Sequence, residues 1–483
     1  MDPNDGSTTV ATSPTTARTS GLGVAHVVFF VIAASAPLTV AAGGIPQTFG
    51  VTATLGVPLL FLVLASLLAV FSAGYAAMSR RIVGAGAFYS YVCHGLGRTA
   101  GVGAAFVALL SYNTMQIGIY GLFGFTTADL LERRLGLAVP WWALVLGCVL
   151  LVGVLGYLRV DLNAKVLAVL LALESATVLV FDLSQFAAAP QPVSLAPLSW
   201  SALTGGSLGA AACFTMGAFT GFESAAIYGE ECRDPRRTVA RATYAAVGLI
   251  GVFYCLTAWA MISGTGMGAI VDRARAEGPS LVFTLAEHTL GGPFADLAQV
   301  FLVTSLFAAL LSFHNAVARY FFALGREGVL PVALGRTHTR HGSPHVGSLT
   351  QTALAAVVVL VFALLGKDPV ATLFTWFTNI GALGVLLLLA VTSVAVLAFF
   401  RRGGADGESR WHRAVAPAIS AVALAAVFVT AVVNFDALLG SDSTSALRWV
   451  LPALVGLAAV GGVGYGWYLR LRRPAVHDRI GRG

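Results

Sequence analysis

The sequence predicts an all-α integral membrane protein with twelve transmembrane helices. Of its 483 residues, 57% are hydrophobic and only 11% are charged, and the mean hydropathy is +0.83. A soluble protein of this size could not cover so much apolar surface with so few charges. Apolar segments of ~20 residues, long enough to cross a bilayer as a helix, recur along the chain with short connections. We therefore expect one polytopic helical domain over residues 23–470.

The ends of the chain differ from this domain in composition. Residues 1–22 are rich in Ser, Thr, Gly and Pro and lack the basic start of a signal peptide, which predicts a disordered cytoplasmic tail. Residues 471–483 predict a basic cytoplasmic tail. The predicted spans between the tails are 24–49, 54–79, 99–129, 140–158, 165–186, 206–230, 240–264, 294–323, 346–366, 369–400, 414–436 and 447–470.

The placement of Arg and Lys predicts the orientation. Cytoplasmic loops of membrane proteins carry an excess of both residues. If the N-terminal tail is cytoplasmic, 23 of the 29 basic residues fall on the cytoplasmic side, and we therefore expect both termini there. The exceptions are Arg133, Arg134, Arg273, Arg275, Lys367 and Arg448.

The first and sixth spans each contain an interruption. In the first, Pro37 removes a backbone donor and clashes with the preceding turn, so the helix should kink or break near 33–39. The alternative there is a simple proline kink, which membrane helices tolerate. In the sixth, Thr220, Gly221 and Glu223 lie where a plain spanning helix would be apolar.

The two interruptions are five helices apart, and this spacing is typical of an inverted repeat. Broken helices at matching positions of two repeats point to a binding site at the breaks. Residues 24–186 would form the first repeat and 206–400 the second, with 414–470 adding helices 11 and 12.

Three stretches predicted to be cytoplasmic resemble motifs of the amino acid–polyamine–organocation (APC) superfamily of permeases. They are SRRIVGAGAFYSYVCHGLGR (79–98), GFESAAIYGEECRDPRRTVARA (221–242) and ARYFFALGREGVLP (318–331). The resemblance spans residues 24 to about 470 and implies a LeuT-type fold with broken helices 1 and 6. It also implies a secondary active transporter that moves amino acids across the cell membrane by alternating access. Many members carry a glycine-rich unwound stretch in helix 1, where this chain has residues 34–39 without glycine.

The helix ends at the predicted site have opposite polarities. The N-terminus of a half-helix suits an anionic group, whereas unwound carbonyls and half-helix C-termini suit an ammonium, so the pair fits an α-amino acid. Glu223 either faces the substrate's ammonium or caps the inner half-helix. Polar or aromatic residues of helices 3, 6 and 10, such as Phe214, Phe374 and Asn379, are further candidates for the lining, with helix packing as the alternative. The predicted substrate-binding residues are Ser35, Ala36, Pro37, Leu38, Thr39, Asn113, Gly217, Phe219, Thr220, Gly221, Phe222, Glu223 and Trp376.

Glu174 is the predicted proton-coupling residue. It lies ~14 Å beyond Lys165 in an otherwise apolar helix, at mid-membrane depth, where a carboxylate indicates function. Low dielectric favours the neutral acid, which can release and rebind a proton. The alternative is a permanently protonated side chain that hydrogen-bonds between helices. The resemblance places Glu174 where several relatives carry a Lys associated with proton coupling or with replacing a sodium ion.

Four charged residues follow the sixth span and predict an inner gate. A salt-bridge latch between inner loops is the interpretation that the resemblance favours. Solvated surface charge is the alternative, because exposed ion pairs are usually weak. The four residues are Glu230, Glu231, Arg236 and Arg237.

Other classes of function lack their motifs. His338, His341 and His345 lack a nearby carboxylate or Cys, so we expect no metal site. The chain carries no Walker motif, dinucleotide fingerprint or nucleophile elbow, so we expect neither an enzyme nor a cofactor. The expected coupling ion is a proton. Expected partners are an amino acid or related amine and the lipid bilayer, and no nucleic acid. The alternatives are an amine or polyamine permease, an amino acid exchanger, and a membrane nutrient sensor that does not transport.

Overall fold

The computed structural model describes residues 23–82, 87–158, 164–223, 232, 234–403, 407–439 and 445–481. These residues form helices and connecting turns, and no strand occurs among them. By length and composition, ten of the described helices are able to cross a membrane, and Leu208–Phe219 is a shorter apolar helix. The chain is therefore a multi-pass helical membrane protein.

The α-helices are numbered in chain order. Short π-helical segments, Thr39–Gly44, Pro369–Phe374 and Trp411–Val415, lead into three of them, α2, α15 and α16. The helices are α1 (Val24–Ser35), α2 (Ile45–Thr52), α3 (Val57–Ser79), α4 (Ala87–Leu96), α5 (Arg98–Leu135), α6 (Trp141–Leu158), α7 (Ala164–Ala187), α8 (Trp200–Thr204), α9 (Leu208–Phe219), α10 (Pro235–Thr265), α11 (Ile270–Glu277), α12 (Leu281–Leu290), α13 (Gly292–Glu327), α14 (His345–Leu364), α15 (Thr375–Arg401), α16 (Ala416–Val433), α17 (Leu447–Arg472) and α18 (Pro474–His477).

Both sequence interruptions coincide with helix ends. Helix α1 ends at Ser35, and Ala36 adopts a positive φ of 48° before Pro37. A residue that precedes proline is disfavoured in the α region, which accounts for the position of this break. Helix α9 ends at Phe219, and Gly221 follows with a φ of 109°, a value that residues other than glycine rarely adopt. The two breaks open the backbone at the positions that the sequence indicated.

Helix α5 lies at the centre of the bundle, and α17 lies at its periphery. The apolar part of α5 is 89% buried, whereas that of α17 is 17% buried. A Cβ atom added at Gly118 of α5 would lie 2.6 Å from Cγ2 and 2.9 Å from the backbone nitrogen of Thr378. Glycine therefore allows α5 to approach the helix that contains Thr378 closely.

The two ends of the bundle are covered differently. We call the end at which α1 begins the inner end and the opposite one the outer end. At the outer end lie the short helices α11 and α12, and Arg275 of α11 donates to the Gly50 carbonyl at 2.8 Å. At the inner end, residues 474–481 of the predicted tail pack against the bundle: Arg98 pairs with Asp478 at 2.6 Å, and Ile480 is buried.

Candidate substrate-binding site

A cavity of ≈ 70 Å³ lies between the two helix breaks. Helices α1, α5, α9, α13 and α15 and the π-helical segments before α2 and α15 contribute to its wall. None of the described lining residues carries a charged side chain. The lining residues are Ser35, Ala36, Thr39, Val40, Gly44, Met115, Ile119, Cys213, Phe214, Gly217, Ala218, Thr220, Ala309, Phe313, Phe374, Thr378 and Asn379.

Ser35 joins the two breaks directly. Its hydroxyl donates to the Ala218 carbonyl at 3.0 Å, which connects the last turn of α1 to the last turn of α9. The same Oγ lies 2.6 Å from the Tyr254 hydroxyl of α10. Because all three residues are buried, this small network fixes the relative position of the breaks.

Three polar atoms of the lining residues have no hydrogen-bond partner in the described structure. They are Oγ1 of Thr39, Oγ1 of Thr220 and Oδ1 of Asn379, and all three side chains are buried. A buried polar group without a partner costs about 1–3 kcal/mol, so such atoms are rare unless a ligand or water satisfies them. Their common position on one cavity makes a polar ligand the natural partner.

The helix ends give the cavity its electrostatic polarity. The chain re-enters helix after Ala36, so the amides that follow the first break present a partial positive charge. Helix α9 ends at the cavity with its C-terminal carbonyls, of which Gly217 O accepts from the Thr220 amide at 3.1 Å. An anion is favoured at the first break and a cation at the second. A small zwitterion satisfies both.

Five of the predicted substrate-binding residues line this cavity. They come from both breaks, which are far apart in sequence. Leu38 is buried but does not line the cavity, and neither Pro37 nor Gly221 is in the lining. The five lining residues are Ser35, Ala36, Thr39, Gly217 and Thr220.

The remaining predicted residues pack elsewhere. Phe219 packs against Phe61 with ring centroids 6.2 Å apart, and Phe222 packs edge-on against Phe71 at 6.0 Å. Trp376 lies 6.5 Å from Phe362 of α14 by ring centroids, in an edge-on arrangement. Asn113 donates to the Leu109 carbonyl of its own helix at 2.7 Å. These side chains form the scaffold around the site.

Several lining residues were not among the sequence predictions. Met115 and Ile119 of α5 and Ala309 and Phe313 of α13 are apolar residues of helical segments. Whether such a residue faces the cavity or the core depends on how its helix is rotated about its axis, and that rotation is set by packing against other helices. Asn379 and Phe374 were candidates, because one is a polar residue and the other an aromatic residue near the start of the tenth segment.

Glu223 lies outside the cavity and is held by the protein. The Tyr112 hydroxyl donates to its Oε1 at 2.6 Å, and the Gly221 amide donates to its Oε2 at 2.9 Å. The Tyr75 hydroxyl also donates to the Glu223 backbone carbonyl at 3.1 Å. The carboxylate therefore connects the second break to α5. This arrangement is closer to the capping role of Glu223 than to a contact with the substrate's ammonium.

Glu174 is buried and lies between helices. Its Oε2 accepts from the Ser305 hydroxyl of α13 at 2.8 Å, and only 4% of the residue is exposed. Ser305 lies one helical turn from Ala309, which lines the cavity. The predicted coupling residue therefore contacts a helix that contributes to the cavity wall.

The predicted inner gate lies largely outside the described residues. This holds for Glu230, Glu231 and the side chain of Arg236. Arg237 Nε lies 3.8 Å from Asp234 Oδ2, and the two side chains are 78% and 53% exposed. An ion pair this long and exposed contributes little to stability.

The three histidines cluster at the inner end. The ring centroids of His338 and His341 are 4.9 Å apart, and those of His338 and His345 are 5.5 Å apart. Lost hydration and the neighbouring His341, His345 and Arg340 lower the pKa of His338. Its Nδ1 accepts from the Arg340 amide at 3.2 Å, which directs this nitrogen to the backbone.

The overall fold is that of a known membrane transporter. A crystal structure of the manganese transporter of Eremococcus coleocola, in complex with an aromatic bis-isothiourea substituted compound, matches 94% of this chain and 95% of its own, with a TM-score of 0.56. The sequence identity is 15%, so the match concerns the fold alone. The described helices therefore share their arrangement with a multi-pass membrane protein of known structure.

The chain belongs to the amino acid permease family. The model of this family matches residues 26–478, nearly the whole sequence, in agreement with the APC motifs. The branched-chain amino acid permease BcaP of Bacillus subtilis is 24% identical over 192 residues, which cover 40% of this chain and 38% of BcaP. The low-affinity putrescine importer PlaP of Escherichia coli is 22% identical over 402 residues, which cover 80% of this chain and 82% of PlaP.

Proposed function

We propose that the protein is a secondary active transporter that moves an amino acid with an apolar side chain by alternating access, coupled to protons through Glu174. The observation that carries this proposal is the cavity, which lies between helix ends of opposite polarity and has no charged side chain among its described lining residues. Helix ends match the carboxylate and the ammonium of an amino acid. The apolar wall, with Met115, Phe214 and Phe313, suits an aliphatic or aromatic side chain.

The same wall disfavours a polyamine. A diamine brings two ammonium groups, and each needs an acceptor to compensate for lost hydration. The lining residues include neither Asp nor Glu, and both oxygens of Glu223 already accept bonds from the protein. BcaP, a branched-chain amino acid permease by name, is therefore the better guide to the substrate class than PlaP, a putrescine importer.

The proposed topology follows the sequence prediction. Twelve crossings would form a LeuT-type bundle of two inverted five-helix repeats and two additional helices, with both termini in the cytoplasm of a cell-membrane protein. Helix α9 would be the outer half of the sixth crossing, because it is apolar and only 12 residues long. Residues 1–22 and 471–483 would be cytoplasmic, and Glu230, Glu231, Arg236 and Arg237 would act at the inner gate.

Binding and exchange in purified protein test this function. A thermal-shift screen against amino acids and diamines should show stabilisation by one or more apolar amino acids, because a ligand that binds only the folded state stabilises it. In proteoliposomes, the same amino acid should be taken up by counterflow. Stabilisation by diamines alone would favour the amine alternative, and binding without exchange would indicate a sensor.

Gly217→Ala should narrow the substrate range without loss of folding. A Cβ atom at this lining position would meet only the Cβ of Ala382, at 3.8 Å, so the fold tolerates it. The added methyl group would occupy space in the ≈ 70 Å³ cavity. We expect the affinity for the bulkiest accepted amino acid to fall about tenfold, the effect of roughly one methylene group, with less change for the smallest. Competition against labelled substrate measures this.

The control is Gly248→Ala. Gly248 is an exposed residue of α10, and a Cβ atom there would meet nothing within 4 Å. This variant should bind all substrates as the wild type does. Equal losses for small and large substrates in Gly217→Ala would contradict a size limit at this position.

A further inference from the structure

Helix α7 carries a second buried acid, Asp182, in addition to Glu174. Asp182 is 3% exposed, although it lies in an apolar span. Its Oδ2 accepts from the Thr257 hydroxyl of α10 at 2.9 Å, and its Oδ1 has no partner among the described residues. An ionised carboxylate with an unpartnered oxygen at such a place is costly, and the neutral acid costs much less.

We propose that Asp182 is a second proton-binding site, placed between the outer end of the bundle and Glu174. This inference rests on the proposed proton coupling. Eight residues separate the two acids, which is ~12 Å along the helix. Five residues separate Asp182 from the end of α7 at Ala187, which is ~7.5 Å. Asp182 therefore lies between the coupling residue and the outer surface.

Polar side chains continue from Asp182 towards the outer end. Gln185 donates through Nε2 to the Thr289 hydroxyl of α12 at 3.0 Å, and the Ser184 hydroxyl lies 3.0 Å from the same atom. The Gln185 Oε1 is buried and has no partner in the described structure. Buried polar groups that lack a partner in the protein are commonly hydrogen-bonded to water. A proton from the outer side therefore has polar groups along its way to Asp182.

Helix α10 connects Asp182 with the inner part of the route. Thr257, the partner of Asp182, is one helical turn from Tyr254. Tyr254 lies 2.6 Å from the Ser35 hydroxyl at the cavity. One face of α10 thus bears the hydrogen-bond partner of Asp182 and that of the first helix break. A change in protonation at Asp182 acts on this face of α10.

Asp182 has no charged partner in the described part of the chain. Helices α1, α10, α12 and α13 pack against α7, and no Arg, Lys, His, Asp or Glu of these helices is hydrogen-bonded or ion-paired with Asp182. On α12, the titratable side chains Glu287 and His288 are exposed to solvent. The occupancy of the proton site is then governed by burial and by Thr257, without a fixed counter-charge.

Asp182→Asn tests the proposal in proteoliposomes. Asparagine has nearly the same shape and still accepts from Thr257 through its oxygen, but it cannot bind a proton. We expect net uptake driven by an external acid pH to fall about tenfold or more and to lose its dependence on external pH. Counterflow at symmetric pH, which moves no net proton, should stay within about twofold of the wild type. Thr257→Val, which keeps the acid, should reduce net uptake less than Asp182→Asn does.

The outcomes separate this inference from the proposed function. If Asp182→Asn keeps the wild-type rate and pH profile while Glu174→Gln loses driven uptake, Asp182 is only a structural residue and the inference is wrong. If the wild type shows no response to a pH gradient, proton coupling and this inference both fail. If Asp182→Asn does not fold, Asp182→Glu is tested in its place, because glutamate retains an acid. The glutamate variant should keep driven uptake with a shifted pH profile, and an unshifted profile would overturn the proposal.

Discussion

Glu174→Gln is expected to abolish uptake driven by a pH gradient while leaving substrate binding nearly unchanged. Glutamine still accepts from the Ser305 hydroxyl, which lies 2.8 Å from the carboxylate, so the helix contact is kept. It cannot release or rebind a proton. Couplings between two sites typically amount to ~1–3 kcal/mol, or about 5–150-fold, and we expect the loss of driven uptake to lie at the upper end of that range or above it.

Two measurements in proteoliposomes separate the coupling from binding. Driven uptake is measured with an acid exterior and a neutral interior, and binding is measured by competition at symmetric pH. The matched control is Glu287→Gln, which neutralises an exposed carboxylate of α12 and should change neither quantity. Full gradient-driven uptake by Glu174→Gln would show that Glu174 is only a helix-packing side chain.

The positions of the two helix breaks could be predicted because they depend on local backbone chemistry. Pro37 restricts the residue before it, and Gly221 allows a positive φ that other residues resist. Both effects act within a few residues and are therefore visible in the sequence. The same holds for the apolar segments, most of whose ends lie within a few residues of the end of a described helix.

The cavity wall could be predicted only in part, because it depends on how each helix is rotated. Phe374 and Thr378 are four residues apart and face the cavity together. Trp376 lies between them in sequence and therefore points about 200° away, towards Phe362 of α14. No property of the tenth segment alone indicates which of these faces meets α5.

Asp182 was not among the sequence predictions for a different reason. Its segment, VFDLSQF, lies near the end of the fifth span, where an acid resembles an ordinary interfacial residue. Its burial results from α10, which places Thr257 against it. Tertiary packing therefore determines whether an acid near a helix end is a surface group or an intramembrane one.

Glu223→Ala is expected to lower thermal stability and transport, whereas Glu223→Gln should preserve both. The alanine variant removes both hydrogen bonds that the carboxylate accepts, from the Tyr112 hydroxyl and from the Gly221 amide, and loss of the acceptor for the buried Tyr112 hydroxyl costs about 1–3 kcal/mol. Glutamine can accept from the Gly221 amide through its oxygen and donate to Tyr112 through its nitrogen, since a tyrosine hydroxyl also accepts. The position of the second break is then kept.

Comparing the two variants distinguishes the two roles of Glu223 that remained open in the sequence. If Glu223 holds the break, only the alanine variant should show a lower unfolding temperature, and substrate affinity should follow stability. If the carboxylate binds the substrate's ammonium, Glu223→Gln should lose affinity at unchanged unfolding temperature. The first result is expected, because both carboxylate oxygens are engaged by the protein and neither faces the cavity. Tyr112→Phe removes one of the two bonds and should give an intermediate loss of stability.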